Sequence, residues 1–118
     1  MHIKTRTNNG CSIIDLDGRL YLGPATKELR ETFHEVAKKD SGKIIINMQN
    51  VTHIDTPGLG ELVNCRNYAR DCGEELVLLN PQDKLINLLV MTKLITVFDI
   101  FHDEALAVGD SESARVPV

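Results

Sequence analysis

The pattern of apolar and polar positions changes several times along the chain, and its first part predicts a β-hairpin. Residues 2–7 alternate between basic side chains and apolar or threonine ones, which is typical of a strand with one solvated face. Residues 11–16 are mostly apolar and β-branched, and Asn8-Asn9-Gly10 between the two runs is a turn signal. We therefore predict two antiparallel strands, the second of them ended by Asp17-Gly18.

Helical periodicity and continuous apolar runs alternate in the rest of the chain. Runs without alternation, such as residues 43–48, are typical of central strands covered on both faces. Apolar residues spaced three or four apart indicate amphipathic helices between these runs. The predicted helices cover about residues 25–39, 56–71, a segment that begins near Asp83, and 103–108. The further predicted strands are 43–48, 75–79 and, as a short strand or extended edge, 95–98.

This order of elements predicts an α/β fold. Strands that alternate with helices imply a mainly parallel sheet with right-handed crossovers, and the hairpin adds an antiparallel component at one edge. We expect the helices to lie mostly on one face of the sheet. A chain of 118 residues fits one domain. We assign it to residues 1–108 and expect the polar residues 109–118 to be frayed.

Composition and charge exclude several classes of function. The net charge of -4 and the scattered basic residues argue against a nucleic-acid binder, and no apolar run is long enough for a membrane span. The first residues lack the apolar stretch of a signal peptide, so we expect a cytoplasmic protein without a membrane partner. The three cysteines and four histidines show no metal-ligand spacing. We expect free, mostly buried thiols, no metal and no cofactor.

Residues 51–60 are the most informative stretch, because a strand end leads directly into a helix start. Pro57 disfavours helical dihedrals for Thr56, which predicts that the Thr56 hydroxyl caps the helix. Helix capping by itself would be enough to explain why a threonine stands at position 56. Gly58 and Gly60 are poor helix formers, so two glycines in the first turn indicate that something approaches the backbone closely. Leu59 is either a core residue or an exposed anchor.

A catalytic interpretation of the same stretch is weak. His53, Asp55 and Thr56 superficially resemble a nucleophile constellation, but adjacent strand residues point to opposite faces. The segment Gly58-Leu59-Gly60 lacks the lysine that follows the glycines of a P-loop. We therefore expect no catalytic residue and no enzymatic activity.

These residues resemble a known family. Gly18 after an early strand, the apolar run ending Ile46-Asn47-Met48, and above all Ile54-Asp55-Thr56-Pro57-Gly58-Leu59-Gly60 are similar to the STAS domain, which is named for sulfate transporters and anti-sigma-factor antagonists. The resemblance covers about Ile3 to Leu106. The length of the chain favours the antagonist branch over a transporter tail.

The resemblance implies a phosphorylation switch. It implies that Thr56 is phosphorylated by an anti-sigma factor that is also a serine/threonine kinase, and that a PP2C-type phosphatase restores the unmodified form. The unmodified protein would bind the anti-sigma factor and displace the sigma factor, so transcription would proceed. By position, the resemblance implies that Asp55, Thr56, Pro57, Gly58, Leu59, Gly60 and Tyr21 contact the partner. We expect a monomer when no partner is bound.

The sequence departs from the family pattern at three positions. Pro57 replaces the second of two small hydroxyl residues, so a kinase would have to accept a stiffer turn. Asn47 stands where the apolar strand often ends in Asp. Tyr21 replaces an acidic residue that is frequent after the Gly-x-Leu turn, which bears on the identity of the partner.

Two other functions fit the same resemblance. One is a scaffold subunit of a transport complex that contacts an ABC ATPase and needs no phosphorylation. The other is a small-molecule-binding STAS module, which would need a pocket that the residues do not specify.

Overall fold

Strands and helices alternate through the residues that the computed structural model describes, 1–39 and 42–109. The strands are β1 (His2–Asn8), β2 (Cys11–Leu20), β3 (Lys43–Ile54), β4 (Glu75–Leu79) and β5 (Asp99–Phe101). The helices are α1 (Pro24–Ala37), α2 (Thr56–Asp71), α3 (Asp83–Met91) and α4 (Glu104–Val108). The strands form one sheet in chain order, with β1 antiparallel to β2 and the other pairs parallel. The predicted α/β class, element order and antiparallel edge are confirmed.

The helices cover the two faces of the sheet unequally. The larger core joins α1, α2 and α3 to one face, and its fully buried side chains include Leu29, Phe33, Ile46, Leu62 and Leu89. The smaller core lies under α4 on the other face and includes Ile13, Ile45, Val77, Phe101 and Ala107. The expectation that helices lie mostly on one face is confirmed. In the described parts of the chain, no helix is both long and apolar enough to cross a bilayer.

Strand β2 is longer than predicted because Gly18 does not end it. The register between β2 and β3 shifts between Asp15 and Asp17, and again between Gly18 and Arg19. Gly18 has a φ of 119°, so it accommodates this irregularity inside the strand. The predicted break at Asp17-Gly18 was therefore wrong. A glycine that permits a bulge and a glycine that ends a strand give the same signal in sequence.

The predicted end of β3 and the position of β5 also need correction. Strand β3 continues past residue 48 to Ile54 because the longer β2 pairs with it as far as that residue. The predicted strand 95–98 lies in a turn, and β5 follows it at Asp99–Phe101. Ile95 and Val97 pack against the larger core from this turn, so their apolar character reflects packing and not strand pairing. Apart from Gly109, the predicted frayed segment lies outside the described residues.

The cysteines behave mostly as expected. All three are free; Cys11 and Cys65 are buried, whereas Cys72 is exposed. Burial raises the pKa of the Cys65 thiol, so this side chain acts as a small core residue.

Candidate functional site

The turn between β3 and α2 lies at the carboxyl edge of the parallel strands, and Asp55 holds it in place. Asp55 is the N-cap of α2, and its Oδ1 accepts a hydrogen bond from the backbone N–H of Gly58 at 2.7 Å. Its Oδ2 accepts a second hydrogen bond from the backbone N–H of Leu22 at 3.0 Å. One carboxylate therefore ties the start of α2 to the loop that follows β2.

Thr56 is the first residue of α2 and not its cap, so the predicted capping hydroxyl was wrong. Asp55 takes the capping position because a carboxylate accepts two backbone hydrogen bonds at once, and both are charge-assisted. Thr56 is exposed, and among the described residues its hydroxyl has no hydrogen-bond partner. Capping consequently no longer explains why a hydroxyl residue stands here.

The two glycines of the first turn have different surroundings. A Cβ on Gly58 would lie 2.2 Å from the carbonyl oxygen of Leu20, so α2 packs directly against the end of β2. The close approach inferred from the sequence is thus made at Gly58 by the protein itself. A Cβ on Gly60 would meet nothing within 4 Å, and Gly60 is exposed. Leu59 is a core residue and not an exposed anchor.

Exposed residues around this turn form a surface that we call the switch face. Its members are Tyr21, Leu22, His53, Thr56, Pro57 and Gly60. Tyr21 is 40% exposed and Leu22 is 71% exposed, and the Tyr21 ring lies edge-on to His53 with 6.3 Å between the ring centroids. Of the other residues predicted to contact a partner, Asp55 is half-buried, and Gly58 and Leu59 lie beneath the surface.

The partner-binding residues predicted from the sequence did not include Leu22, and no groove beside it was predicted. This groove, of about 290 Å³, runs between the end of β3 and α3. Its lining includes Tyr21, His53, Lys84, Leu88 and Met91. Met91 is 80% exposed. A signal was available: Leu22 lies between a strand and a helix, and Met91 lies off the stripe of Leu85 and Leu89, so no buried face requires either residue.

Behind the switch face, an ion pair between the buried Glu61 and the half-exposed Arg30 joins α2 to α1. Glu61 is 3% exposed, and its Oε1 accepts hydrogen bonds from Arg30 Nη2 at 2.6 Å and from Arg30 Nε at 3.1 Å. This pair compensates the buried Glu61 charge. Asp55 differs, because the hydrogen bonds described for its carboxylate come from backbone N–H groups alone. Within the described part of the chain, its negative charge has no cationic partner of this kind.

Comparison with protein families gives a match over nearly the whole chain. The model of the STAS domain matches residues 2–107. Among curated proteins, none matches the sequence.

Several solved structures share the fold. A protein from Thermotoga maritima proposed to be an anti-sigma factor antagonist is 21% identical, with a TM-score of 0.78 over 87% of this chain and 88% of that one. A sulfate transporter family protein from Wolinella succinogenes is 18% identical, with a TM-score of 0.70 over 89% and 87% of the two chains. SpoIIAA, a cell fate determinant of Bacillus solved in its phosphorylated form, is 17% identical, with a TM-score of 0.68 over 88% and 95%. At these identities the likeness shows a common fold.

Proposed function

The chain belongs to the STAS domain family, and we propose that within it the protein acts as an anti-sigma-factor antagonist. In this proposal it binds an anti-sigma factor of the serine/threonine-kinase type through the switch face, and phosphorylation of Thr56 abolishes that binding. In the same proposal the exchange of partners regulates transcription; the match to the STAS domain over residues 2–107 supports the family. A PP2C-type phosphatase removes the phosphate, and the unbound antagonist is a monomer.

The observation that carries the proposal is the state of the Thr56 hydroxyl. It is exposed at the start of α2, and its capping role is taken by Asp55. A hydroxyl without a structural task can be modified without loss of the fold. The positive end of the helix dipole also tolerates an anion at this position. The fold shared with phosphorylated SpoIIAA supports the same interpretation.

The chemistry of the modification belongs to the partner. The Thr56 oxygen forms a bond to the γ-phosphorus of ATP, the bond from that phosphorus to ADP breaks, and the hydroxyl proton passes to a base of the kinase. We propose that this chain supplies no catalytic residue. In support, both oxygens of the adjacent Asp55 carboxylate already accept backbone hydrogen bonds, so Asp55 is poorly placed to act as a base.

The phosphate would act on the interface and not on the core. It adds about 1.5 to 2 negative charges at neutral pH, next to the Asp55 carboxylate, which has no cationic side-chain partner among the described residues. A partner packed on Thr56, Pro57 and Gly60 would have to desolvate both charges. A loss of about 3 kcal/mol would weaken binding roughly a hundredfold.

Phosphate transfer to single-threonine variants tests the assignment. The purified protein is incubated with labelled ATP and an anti-sigma factor kinase encoded near its gene. We expect Thr56→Ala to abolish labelling. Thr52→Ala, which removes another exposed threonine at the end of β3, should leave labelling unchanged. Equal labelling of Thr56→Ala and the parent protein would exclude Thr56 as the acceptor.

A scaffold subunit of a transport complex that contacts an ABC ATPase is the alternative, since the fold is also shared with a sulfate transporter family protein from Wolinella, although that likeness names no ATPase. In that function the exposed Tyr21 and Leu22 serve as permanent contacts and Thr56 stays unmodified. A purified ATPase that binds the parent and a phosphothreonine-56 protein equally well would support the scaffold. Loss of binding to an anti-sigma factor on phosphorylation would support the antagonist.

A further inference from the structure

The start of α2 offers unusually few free backbone donors near Thr56. The first residues of a helix normally carry N–H groups without an intrahelical partner. Here Pro57 has no N–H, and the N–H of Gly58 is held by Asp55 Oδ1 at 2.7 Å. The N–H of Leu59 already bonds to the Asp55 carbonyl at 3.0 Å. Beyond the N–H of Thr56 itself, a phosphate on Thr56 therefore meets a donor set that Asp55 largely occupies.

We propose that a phosphate on Thr56 displaces the Asp55 carboxylate from Gly58 and thereby releases the loop that contains Tyr21 and Leu22. The proposal rests on the proposed phosphorylation of Thr56. Two effects act together. The phosphate competes for the Gly58 N–H, and its charge repels the carboxylate of the adjacent residue.

The side chain of Asp55 moves in this account because the backbone around it cannot. Gly58 lies so close to the Leu20 carbonyl that a Cβ would be 2.2 Å from its oxygen, so the helix start has no room to shift toward β2. Asp55 swings away, and the same carboxylate then loses its hydrogen bond from the Leu22 N–H. Asp55 is thus a positioning residue that couples the two halves of the switch face.

The Asp55 N–H still bonds to the Leu20 carbonyl at 3.4 Å, at the end of β2, but Tyr21 and Leu22 beyond it have little else among the described hydrogen bonds to hold them to α2. The hydrogen bonds of Gly23 with Thr26 stay within the start of α1. Tyr21 keeps its edge-on contact with His53, but Leu22 is 71% exposed and contributes little packing. Phosphorylation would therefore alter the partner surface twice, by adding charge at Thr56 and by loosening Tyr21 and Leu22.

Amide exchange in a protein with phosphothreonine encoded at position 56 tests the coupling. We expect the Leu22 amide to exchange about tenfold faster than in the unmodified protein, the size of effect for one lost charge-assisted hydrogen bond. The Leu106 amide, which bonds to the N-cap Asp103 at 3.2 Å, is the matched control and should not change. An unchanged Leu22 amide in the phosphorylated protein would overturn the proposal.

A second variant isolates the contribution of Pro57. In Pro57→Ala the phosphate gains a free N–H, so Asp55 can keep its hydrogen bonds. We expect phosphorylation of this variant to accelerate Leu22 exchange clearly less than in the parent sequence, because only the charge repulsion between the phosphate and Asp55 remains. If phosphorylation raised the Leu22 exchange rate equally in the parent sequence and in Pro57→Ala, the proposed competition of the phosphate for the Gly58 N–H would be overturned. Because the phosphate is encoded and not transferred, these results stand even where no kinase modifies Thr56 and the proposed function fails.

Discussion

Carboxylates in two regions of this molecule, the hairpin and the start of α2, accept hydrogen bonds, but their charges are balanced differently. On the hairpin, Arg6 Nε lies 2.7 Å from Asp15 Oδ2, and Arg6 Nη2 lies 2.6 Å from Glu104 Oε1. Asn47 and Asn8 donate further hydrogen bonds to these two carboxylates. We call these five residues the hairpin cluster. At the switch face, the Asp55 carboxylate accepts from the backbone N–H groups of Gly58 and Leu22.

The difference separates a structural role from the regulatory role that we propose for the switch face. In the hairpin cluster a guanidinium lies between the two carboxylates, so the group holds α4 against the hairpin with its charge partly neutralised. At the switch face the helix start carries a carboxylate that is already bonded but has no side-chain cation among the described residues. An additional negative group at Thr56 must therefore disturb Asp55 or a bound partner. The following predictions test this contrast.

The largest effect is expected beneath the switch face. Gly58→Ala places a Cβ 2.2 Å from the Leu20 carbonyl oxygen, and the resulting shift of backbone should lower the free energy of unfolding by about 3 kcal/mol. Gly60→Ala is the matched control, because its Cβ meets nothing within 4 Å and alanine favours the helix. Urea denaturation measures both. Similar stabilities for the two variants would contradict the packing described for Gly58.

The next effect concerns the carboxylate of the switch face itself. Asp55→Ala removes the helix cap and the acceptor of the Leu22 N–H, so we expect a loss of about 2 kcal/mol in the free energy of unfolding. Asp55→Asn keeps one acceptor oxygen and should lose about half as much. Urea denaturation checks both changes. A stability equal to that of the parent in Asp55→Ala would refute the capping role.

The stability that the hairpin cluster contributes to the fold should depend on pH, because its carboxylates are ionised and paired with Arg6. Hydrogen bonds from Arg6 and Asn8 lower the pKa of Glu104 from 4.5 to about 2. Burial opposes ionisation of Asp15, but hydrogen bonds from Arg6 and Asn47 prevail and lower its pKa. Both carboxylates bind protons less readily when folded than when unfolded. Their stabilisation is therefore complete above about pH 5 and is lost as the pH falls toward 2.

Removal of the guanidinium tests that dependence. Because these side chains are about one third exposed, solvent screening reduces the effect to about 1 kcal/mol. The Arg6→Gln protein should lose less stability between pH 5 and pH 2 than the parent protein does. Thermal unfolding of both proteins at the two pH values measures this difference. The same acid dependence in both proteins would show that the hairpin cluster does not provide it.

The smallest effect is expected at Thr56. Because Asp55 is the cap and the Thr56 hydroxyl has no partner among the described residues, Thr56→Ala should change the free energy of unfolding by less than about 0.5 kcal/mol. Urea denaturation of Thr56→Ala and of Asp55→Ala, measured side by side, compares the two losses in the free energy of unfolding. A loss near 1 kcal/mol would restore a capping role to the hydroxyl.

The order of elements could be predicted from the sequence because apolar periodicity reports local geometry. The position of the candidate site was predicted differently, from Pro57 and the two glycines after it and from the resemblance to the STAS domain. The hydrogen bond from Leu22 to Asp55 could not be predicted, since it joins residues 33 positions apart and leaves no periodic pattern. The choice of cap failed for a related reason: Asp55 and Thr56 are both good N-caps, and the tertiary bond from Leu22 adds to the local preference for Asp55.

The affinity of the protein for the anti-sigma factor that we propose as its partner, with and without phosphate on Thr56, tests the central claim most directly. Isothermal titration of the purified partner into the unmodified protein and into the phosphothreonine-56 protein gives both dissociation constants. We expect the phosphorylated protein to bind at least about a hundredfold more weakly, while amide exchange shows that its core is intact. Equal dissociation constants for the two proteins would contradict the account.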